Sequence, residues 1–214
     1  MVQNGEFDTI YHEHYSYYTV KSMKAICDRA GLFLVDVMKH PIHGNTYIFV
    51  ISKTFTPSAT VAEMICAEDL FGMSDANTYE KYALAAKQTA EKFRSAVDEI
   101  KSFGHPVVGY GSPAKGNTML NFSGVTLDFI VDDNPLKQGS FTPGSSIRVL
   151  SSDSLKTLQN TEPVCFVPLA WNFFDEIHQK ISKSRNGKTT MYIKYFPDFK
   201  VFTDGCEFST ASLS

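Results

Sequence analysis

The second half of the chain alternates short apolar runs with glycine-bearing loops and helical stretches. Four runs have the length and the β-branched and aromatic content of buried strands; they read PVVGY, LDFIVDD, VCFVPL and TMYIKYF. Helical patterns lie between them, in TMLNFSG, Ser152–Gln159 and Asn172–Ser182. Because strands that alternate with helices assemble into parallel sheets, this half is predicted to be α/β, with a Rossmann-like, mostly parallel sheet and flanking helices.

The first half predicts a helix and a β-hairpin in front of that sheet. Residues 19–30 place apolar side chains at helical spacing, and the runs LFLVDVMKH and TYIFVISK that follow have strand composition. Only the segment PIHGN separates these two runs, so they should pair as an antiparallel hairpin. Residues 58–103 have a helical pattern that is interrupted near 72–77, which predicts two more helices.

Composition excludes several classes of function. With 214 residues, a net charge of −3 and a pI of about 6.1, the chain has no general attraction for nucleic acid or anionic membranes. No apolar run approaches the roughly 20 residues of a membrane span, and the first residues lack the features of a signal peptide. The four cysteines form no CxxC pair, which favours reduced thiols in a cytoplasmic protein and no metal site.

The loop GYGSPAKG, from Gly109 to Gly116, follows a predicted strand and opens a helix. Glycines let backbone N–H groups approach an anion there, and the helix N-terminus favours negative charge. Lys115 adds a point charge that suits a phosphate. The loop has neither the GxGxxG nor the Walker A pattern, so a tight strand-to-helix turn without a ligand is the alternative.

Asp132-Asp133-Asn134 ends the next predicted strand, at the edge where ligands collect in open α/β sheets. The first carboxylate is suited to accept a hydrogen bond from a ribose or sugar hydroxyl. Helix capping, or a turn before Pro135, is an equal alternative. Lys137, in the loop that follows, could close over the same ligand, whereas the alternative is an ordinary solvated lysine of a polar loop.

Trp171, the only tryptophan of the chain, and its neighbour Asn172 end the third strand on the same side. The indole ring could stack on a flat ligand or fill space in the core, and the sequence alone favours packing. Both residues are candidate ligand contacts because of their position at this edge.

Near the start of the chain, FDTIYHEHYSYYT places two histidines around a glutamate. A histidine beside a carboxylate is a natural general base, because Glu13 can fix the tautomer of the ring and raise its basicity. Metal binding by the His12 and His14 pair lacks an obvious third and fourth ligand. A hydrogen-bonded histidine pair in a structural turn is the remaining alternative.

Five motifs occur in order: FDTIYHEHYSYYT, IHGN, GYGSPAKGNTMLNF, VDDNPLKQGSFTPGSSI and PLAWNF. Together they resemble the SAM-dependent sugar C-methyltransferases that act on nucleotide-linked deoxysugars, particularly the C-3 enzymes of antibiotic-sugar pathways. The resemblance extends over about residues 7–199.

That resemblance implies a substrate, a cofactor and a set of roles. A 4-keto sugar on a nucleoside diphosphate, typically dTDP, loses the proton next to its ketone, and the resulting enolate takes the methyl group of S-adenosylmethionine. His14 matches the general base of these enzymes, and Tyr11 and Glu13 match supporting active-site residues, with Tyr11 as a hydrogen-bond donor. The candidate substrate contacts are His12, His43, Asn45, Tyr110, Gly111, Lys115, Asn117, Asp132, Asp133, Asn134, Lys137, Trp171 and Asn172.

Two features depart from the family pattern. The family reads HGGS where this chain has HGNT at 43–46, which puts substrate contacts at that turn in doubt. Before Gly104 there is neither a zinc-binding cysteine module nor an acidic–glycine loop for S-adenosylmethionine. We therefore expect a C-terminal part of such an enzyme, with a remnant of the SAM-methyltransferase domain at 1–54, the nucleotide-sugar domain at 55–204 and a disordered tail at 205–214.

On this interpretation the chain binds a nucleotide sugar and pairs with a separate SAM-binding chain. A sheet edge left exposed by the missing strands of the SAM domain should favour association, including oligomers. Two other functions remain open. One is a non-catalytic nucleotide-sugar-binding module, or a degenerate remnant, of the same fold. The other is an NAD(P)-dependent oxidoreductase, suggested by Gly109-x-Gly111 and by Asp132 about 20 residues later, although Pro113 and Lys115 do not suit that motif.

Overall fold

A computed structural model describes residues 1–40, 46–56, 58–204 and 206–208. The chain divides into two compact units. The hairpin unit comprises Glu13–Lys81, and the sheet unit combines Met1–His12 with the chain from Tyr82 onward. The functional boundaries expected at 54 and 204 stay predictions, and most of the segment expected to be a disordered tail lies outside the described residues.

The hairpin unit has the predicted helix and antiparallel strand pair. Its elements are α1 (Val20–Arg29), β1 (Phe33–His40), β2 (Thr46–Ser52) and α2 (Ala59–Phe71). Helix α1 starts where the sequence provides a cap, because the Thr19 hydroxyl accepts a hydrogen bond from the Ser22 N–H at 3.0 Å.

Helix α2 is tied to the start of α1 by one side chain. The Glu68 carboxylate accepts hydrogen bonds from the N–H groups of Val20 at 2.6 Å and Lys21 at 3.0 Å. A negative charge at a helix N-terminus is stabilising, since the first N–H groups of a helix have no partner within it. The small core beneath consists of Val20, Cys27, Leu34, Val37 and Val61.

The sheet unit contains a seven-stranded sheet in the order β5-β4-β3-β6-β7-β8-β9. Its strands are β3 (Val107–Tyr110), β4 (Phe129–Val131), β5 (Val149–Leu150), β6 (Val164–Pro168), β7 (Thr190–Lys194), β8 (Lys200–Thr203) and β9 (Cys206–Phe208). The remaining helices of the described residues are α3 (Ala76–Ser102), α4 (Ala114–Ser123) and α5 (Phe174–Arg185), with 3-10 turns at Val2–Asn4, Ser152–Leu158 and Trp171–Phe173. Strands β5, β4, β3, β6 and β7 are parallel, whereas β8 and β9 run antiparallel. The predicted Rossmann-like, mostly parallel sheet is confirmed.

Side chains alternate between the two faces of this sheet and enter separate cores. In β3, Val107 packs in the core that contains α3 and α4, and the next residue, Val108, packs in the core that contains α5. Strand β6 alternates in the same way. Both faces are therefore apolar, as expected for parallel strands that are covered by helices on each side.

Helix α4 packs closely against the end of β6, and a glycine permits this approach. A Cβ atom added at Gly116 would lie 2.6 Å from the Cβ of Leu169. Both residues are buried. Gly116 thus lets the start of α4 pack directly against the end of β6.

We expect the substitution Gly116→Ala to lower the free energy of unfolding by about 1–3 kcal/mol, because the added methyl group overpacks a contact that is already closed. Thermal or urea denaturation measures this change. The control is Ala114→Gly, at an exposed position in the same helical turn. A gain in stability for Gly116→Ala, as helix propensity alone predicts, would contradict the close packing.

Candidate functional site

The described residues form a cavity of about 330 Å³ at the carboxyl ends of β3, β4 and β6, which we call the edge cavity. Ligands in open α/β sheets bind at this edge. The lining residues come from three loops and from α5: Tyr110, Gly111, Ser112, Pro113, Asp132, Asp133, Lys137, Ala170, Phe173, Glu176, Ile177 and Lys180.

Gly111 turns the chain away from the sheet between β3 and α4. Its φ is +81°, a conformation that side chains rarely adopt, and an added Cβ would lie 3.4 Å from that of Ala170. The Gly111 N–H still donates to the Val131 carbonyl at 2.7 Å. The loop therefore leaves β3 while remaining fixed to β4.

The Asp132 carboxylate joins two loops at the floor of the cavity. One oxygen, Oδ2, accepts from the Ser112 N–H at 2.6 Å, and the other, Oδ1, accepts from the Asn134 N–H at 2.8 Å. The Lys137 ammonium donates to the Ser112 carbonyl at 2.9 Å and lies 3.5 Å from Asp132 Oδ2. The turn before Pro135, one of the alternatives from the sequence, is thus present here, and the same carboxylate holds the loops that line the cavity.

Beside it, Asp133 collects a phenol and an ammonium group. The Tyr110 hydroxyl donates to the two Asp133 oxygens at 3.2 and 3.3 Å. The Lys180 ammonium lies 3.0 Å from Asp133 Oδ2 and 3.0 Å from Glu176 Oε1. Burial, followed by the charge of Asp133, raises the pKa of Tyr110 to about 12, so this phenol remains a hydrogen-bond donor at neutral pH.

Carboxylates outnumber ammonium groups on the cavity wall by three to two. The carboxylates belong to Asp132, Asp133 and Glu176, and the ammonium groups to Lys137 and Lys180. Such a wall offers acceptors to hydroxyl or N–H donors of a ligand and is not a strongly cationic phosphate site. Phe173 adds an aromatic ring that is 51% exposed, available for stacking on a flat group.

Lys115 and Trp171 lie in a different cluster, with Asp8. The Trp171 indole N–H donates to Asp8 Oδ2 at 2.6 Å, and the Lys115 ammonium lies 5.0 Å from the centre of the indole ring. Trp171 is only 7% exposed, meets Phe196 edge-on and is not among the residues that line the edge cavity. Packing, the interpretation favoured from the sequence, describes its environment.

The YHEH motif at 11–14 spans the division between the two units, which falls after His12. Tyr11 is half-buried, whereas His12, Glu13 and His14 are exposed. The rings of Tyr11 and His12 lie 6.5 Å apart, and His14 meets Tyr17 edge-on at 6.4 Å.

The other predicted contacts are spread over the loops and α4. Asn134 forms a turn in which its side chain accepts from the Leu136 N–H at 3.0 Å. Asn117 lies on α4 and its Oδ1 is buried without a hydrogen-bond partner, and Asn172 lies in the 3-10 turn before α5. His43 and Asn45 lie outside the described residues.

Sequence reasoning did not single out Asp8, Phe173, Glu176 or Lys180. Phe173 lies within the motif PLAWNF, from which only Trp171 and Asn172 were predicted as ligand contacts. Glu176 and Lys180 are four residues apart on α5 and therefore on one face, a spacing that could have indicated them.

In the part of the chain that the structure describes, no group of three or more His, Cys, Asp or Glu side chains is arranged to hold a metal ion. None of the described helices is both long and apolar enough to cross a membrane.

Comparison with known proteins identifies the family. Residues 41–197 match the model of the C-methyltransferase C-terminal domain. The chain belongs to this family. The matched region starts after the YHEH motif. It contains most of the helices and strands described above and all of the residues that line the edge cavity.

A curated relative, C-methyltransferase NovU from Streptomyces niveus, is 31% identical over 183 residues. The aligned region covers 83% of this chain and 43% of the relative. The aligned region therefore spans less than half the length of this relative.

The contact between Tyr110 and Asp133 can be tested by NMR titration of tyrosines labelled at Cζ. We expect Asp133→Asn to lower the pKa of Tyr110 from about 12 toward its ordinary value of 10, because the neighbouring negative charge is lost. The variant Tyr110→Phe assigns the resonance.

Glu176→Gln is the matched control for this titration, because it removes a cavity carboxylate that makes no hydrogen bond to Tyr110 and should shift the Tyr110 pKa less. An unchanged Tyr110 pKa in Asp133→Asn would show that the phenol and this carboxylate are not in contact.

Proposed function

We propose that this chain binds a nucleoside-diphosphate 4-keto deoxysugar, dTDP-linked in the preferred case, and supplies the base for its C-methylation. The observation that carries the proposal is the edge cavity, a hydroxyl-accepting site in a chain of the C-methyltransferase C-terminal domain family. A relative over the same region is named a C-methyltransferase.

The cavity wall suits the polar parts of a nucleotide sugar. Asp133 has a half-exposed side chain and accepts hydrogen bonds from sugar or ribose hydroxyls, while the neutral Tyr110 phenol is a donor. The exposed ring of Phe173 stacks on the nucleobase.

The diphosphate lies at the start of α4 in this proposal. Pro113 provides no side-chain cap there, and the first turn of the helix contains no acidic residue. The unpaired N–H groups of a helix start favour an anion, and Lys137 stands on the same cavity wall. The carboxylates of the cavity then bind the hydroxyl groups, so the phosphate-binding and hydroxyl-binding parts of the site are separate.

The base acts on the proton next to the ketone. The C–H bond breaks, the proton moves to the imidazole of His14, and the electron pair shifts onto the carbonyl oxygen as an enolate. Tyr11 donates a hydrogen bond to that oxygen, and Glu13 sets the tautomer of the histidine ring. The enolate carbon is then the nucleophile that accepts the methyl group.

S-Adenosylmethionine, the expected donor, supplies an electrophilic methyl group when bound, but the described residues of the hairpin unit do not fit it. They form an antiparallel strand pair and helices, without a glycine-rich loop between a parallel strand and a helix. We propose that residues other than these, in a separate SAM-binding chain or a neighbouring domain, hold the donor. The reaction belongs in the cytoplasm, and association with another copy or chain is part of the proposal.

Proton removal precedes methyl transfer, so it can be measured without the donor. With a dTDP-linked 4-keto-6-deoxysugar in D₂O, we expect the chain to exchange the proton next to the ketone, followed by ¹H NMR. His14→Gln should slow this exchange by about 10²–10⁴-fold, because the base is removed.

His40→Gln is the control, since it removes another exposed histidine from the hairpin unit. Equal exchange in the His14 and His40 variants would overturn the role of His14. Binding of the nucleotide sugar without any exchange in the unaltered chain would instead favour the non-catalytic binding module.

Calorimetry tests the binding half of the proposal. The nucleotide sugar should bind, and Phe173→Ala should weaken its binding by about 0.5–1.5 kcal/mol, roughly two- to twelvefold, because a stacking contact is lost. Phe103→Ala is the control, at an exposed phenylalanine that does not line the cavity. A separate titration with S-adenosylmethionine should show no tight binding; micromolar affinity would contradict our account of the donor.

A further inference from the structure

Three consecutive residues before the YHEH motif are anchored in the sheet unit. Glu6, Phe7 and Asp8 are all buried, although Glu6 and Asp8 carry charge. The Tyr82 hydroxyl donates to the Glu6 carbonyl at 2.8 Å. The Phe7 ring lies 5.0 Å from that of Phe122 and 5.5 Å from that of Phe196.

Asp8 is the costly member of this anchor. Its side chain is fully buried, Oδ2 accepts from the Trp171 indole N–H at 2.6 Å, and Oδ1 has no hydrogen-bond partner. A buried carboxylate with half of its acceptors unused is destabilising compared with a neutral group of the same shape. Burial raises the pKa of Asp8, and the Trp171 hydrogen bond and the Lys115 charge oppose that rise.

The backbone transmits the position of Asp8 to the motif. A turn follows at once, in which the Ile10 N–H donates to the Phe7 carbonyl at 2.9 Å and the Tyr11 N–H donates to the Thr9 carbonyl at 3.0 Å. Tyr11 therefore begins three residues after the anchored carboxylate, with two backbone hydrogen bonds between them. The turn therefore couples the position of Asp8 to that of Tyr11, and His12 follows directly in the chain.

We infer that Asp8 is a positioning residue, which uses its hydrogen bond to Trp171 to hold Tyr11 and His12 at the carboxyl edge of the sheet. Lys115 is the counter-charge of Asp8 in this cluster and does not contact phosphate. The consequence for catalysis rests on the proposed function, whereas the placement of the segment does not.

Two substitutions of Asp8 test whether its hydrogen bond to Trp171 holds the segment in place. Asp8→Asn keeps an oxygen that can accept from the Trp171 indole N–H, while Asp8→Ala removes it. We expect Asp8→Ala to move the indole N–H resonance of Trp171 and to speed amide hydrogen exchange at residues 9–12, with Asp8→Asn close to the unaltered chain. The single tryptophan makes this resonance unambiguous.

Two functional quantities are measured and compared: the exchange rate of the sugar proton at saturating nucleotide sugar, and the affinity for that sugar. Asp8→Ala should lower that rate by about 10- to 100-fold, because small misplacements of catalytic groups have effects of this size. The calorimetric affinity should stay within about twofold, since the edge cavity does not contain Asp8. Asp8→Asn should restore most of the rate.

Trp171→Phe provides a second route if Asp8→Ala does not fold. It removes the N–H donor and keeps an aromatic ring, and it should reproduce the slow exchange of the sugar proton and the faster amide exchange at residues 9–12. Unchanged amide exchange in both variants would overturn the positioning role, as would an Asp8→Asn variant as impaired as Asp8→Ala.

Lys115→Met tests the counter-charge. The pH midpoint of the Trp171 indole resonance reports the ionisation of Asp8. It should rise in this variant, because the charge of Lys115 lowers the pKa of Asp8 and that of Glu6 raises it. Affinity for dTDP should be unchanged; a loss of tenfold or more would make Lys115 a phosphate ligand and overturn this part. If the unaltered chain exchanges no sugar proton, the proposed function fails, and the indole and amide readouts still decide the role of Asp8.

Discussion

The carboxylate of Asp132 holds together two loops that leave the sheet from different strands. It accepts the N–H of Ser112 from the loop after β3 and the N–H of Asn134 from its own loop, and it lies next to the Lys137 ammonium group. These hydrogen bonds give the edge cavity a floor before any ligand arrives. Tyr110 and Lys180 both contact Asp133, which is adjacent to Asp132 in the chain. The proposed nucleotide-sugar site therefore depends on the loop positions that Asp132 fixes.

Much of the fold could be predicted because its main strands are buried on both faces and appear as apolar runs. PVVGY and VCFVPL became β3 and β6, and the Thr46–Ser52 strand paired with its predecessor as the short turn required. Strand β5 was not predicted, because its two residues, Val149 and Leu150, are too few for any periodicity to show. Strands β8 and β9 were also not predicted, because TMYIKYF is the last predicted strand and residues 205–214 are expected to be disordered.

The site divides along similar lines. Asp132, Asp133 and Lys137 could be placed together from the sequence, because the two carboxylates end one strand and Lys137 lies in the loop that follows, at the edge where ligands bind in parallel sheets. Lys115 could not be placed, because it lies inside α4 and each helical residue turns the side-chain direction by about 100°. Asp8 was beyond reach, since its partner Trp171 is 163 positions away and only the folded sheet brings the two together.

The sheet ends in very short strands on both sides. The edge strand β5 has two residues, and β9 at the opposite edge has three. A long unpaired edge invites another chain to add a strand through backbone hydrogen bonds, which occurs with little regard to sequence. These edges leave little room for that mode. Within the described residues, both edges of this sheet therefore offer few backbone groups for strand pairing, and recognition of a partner would rest on surface side chains, which can change while the sheet stays the same.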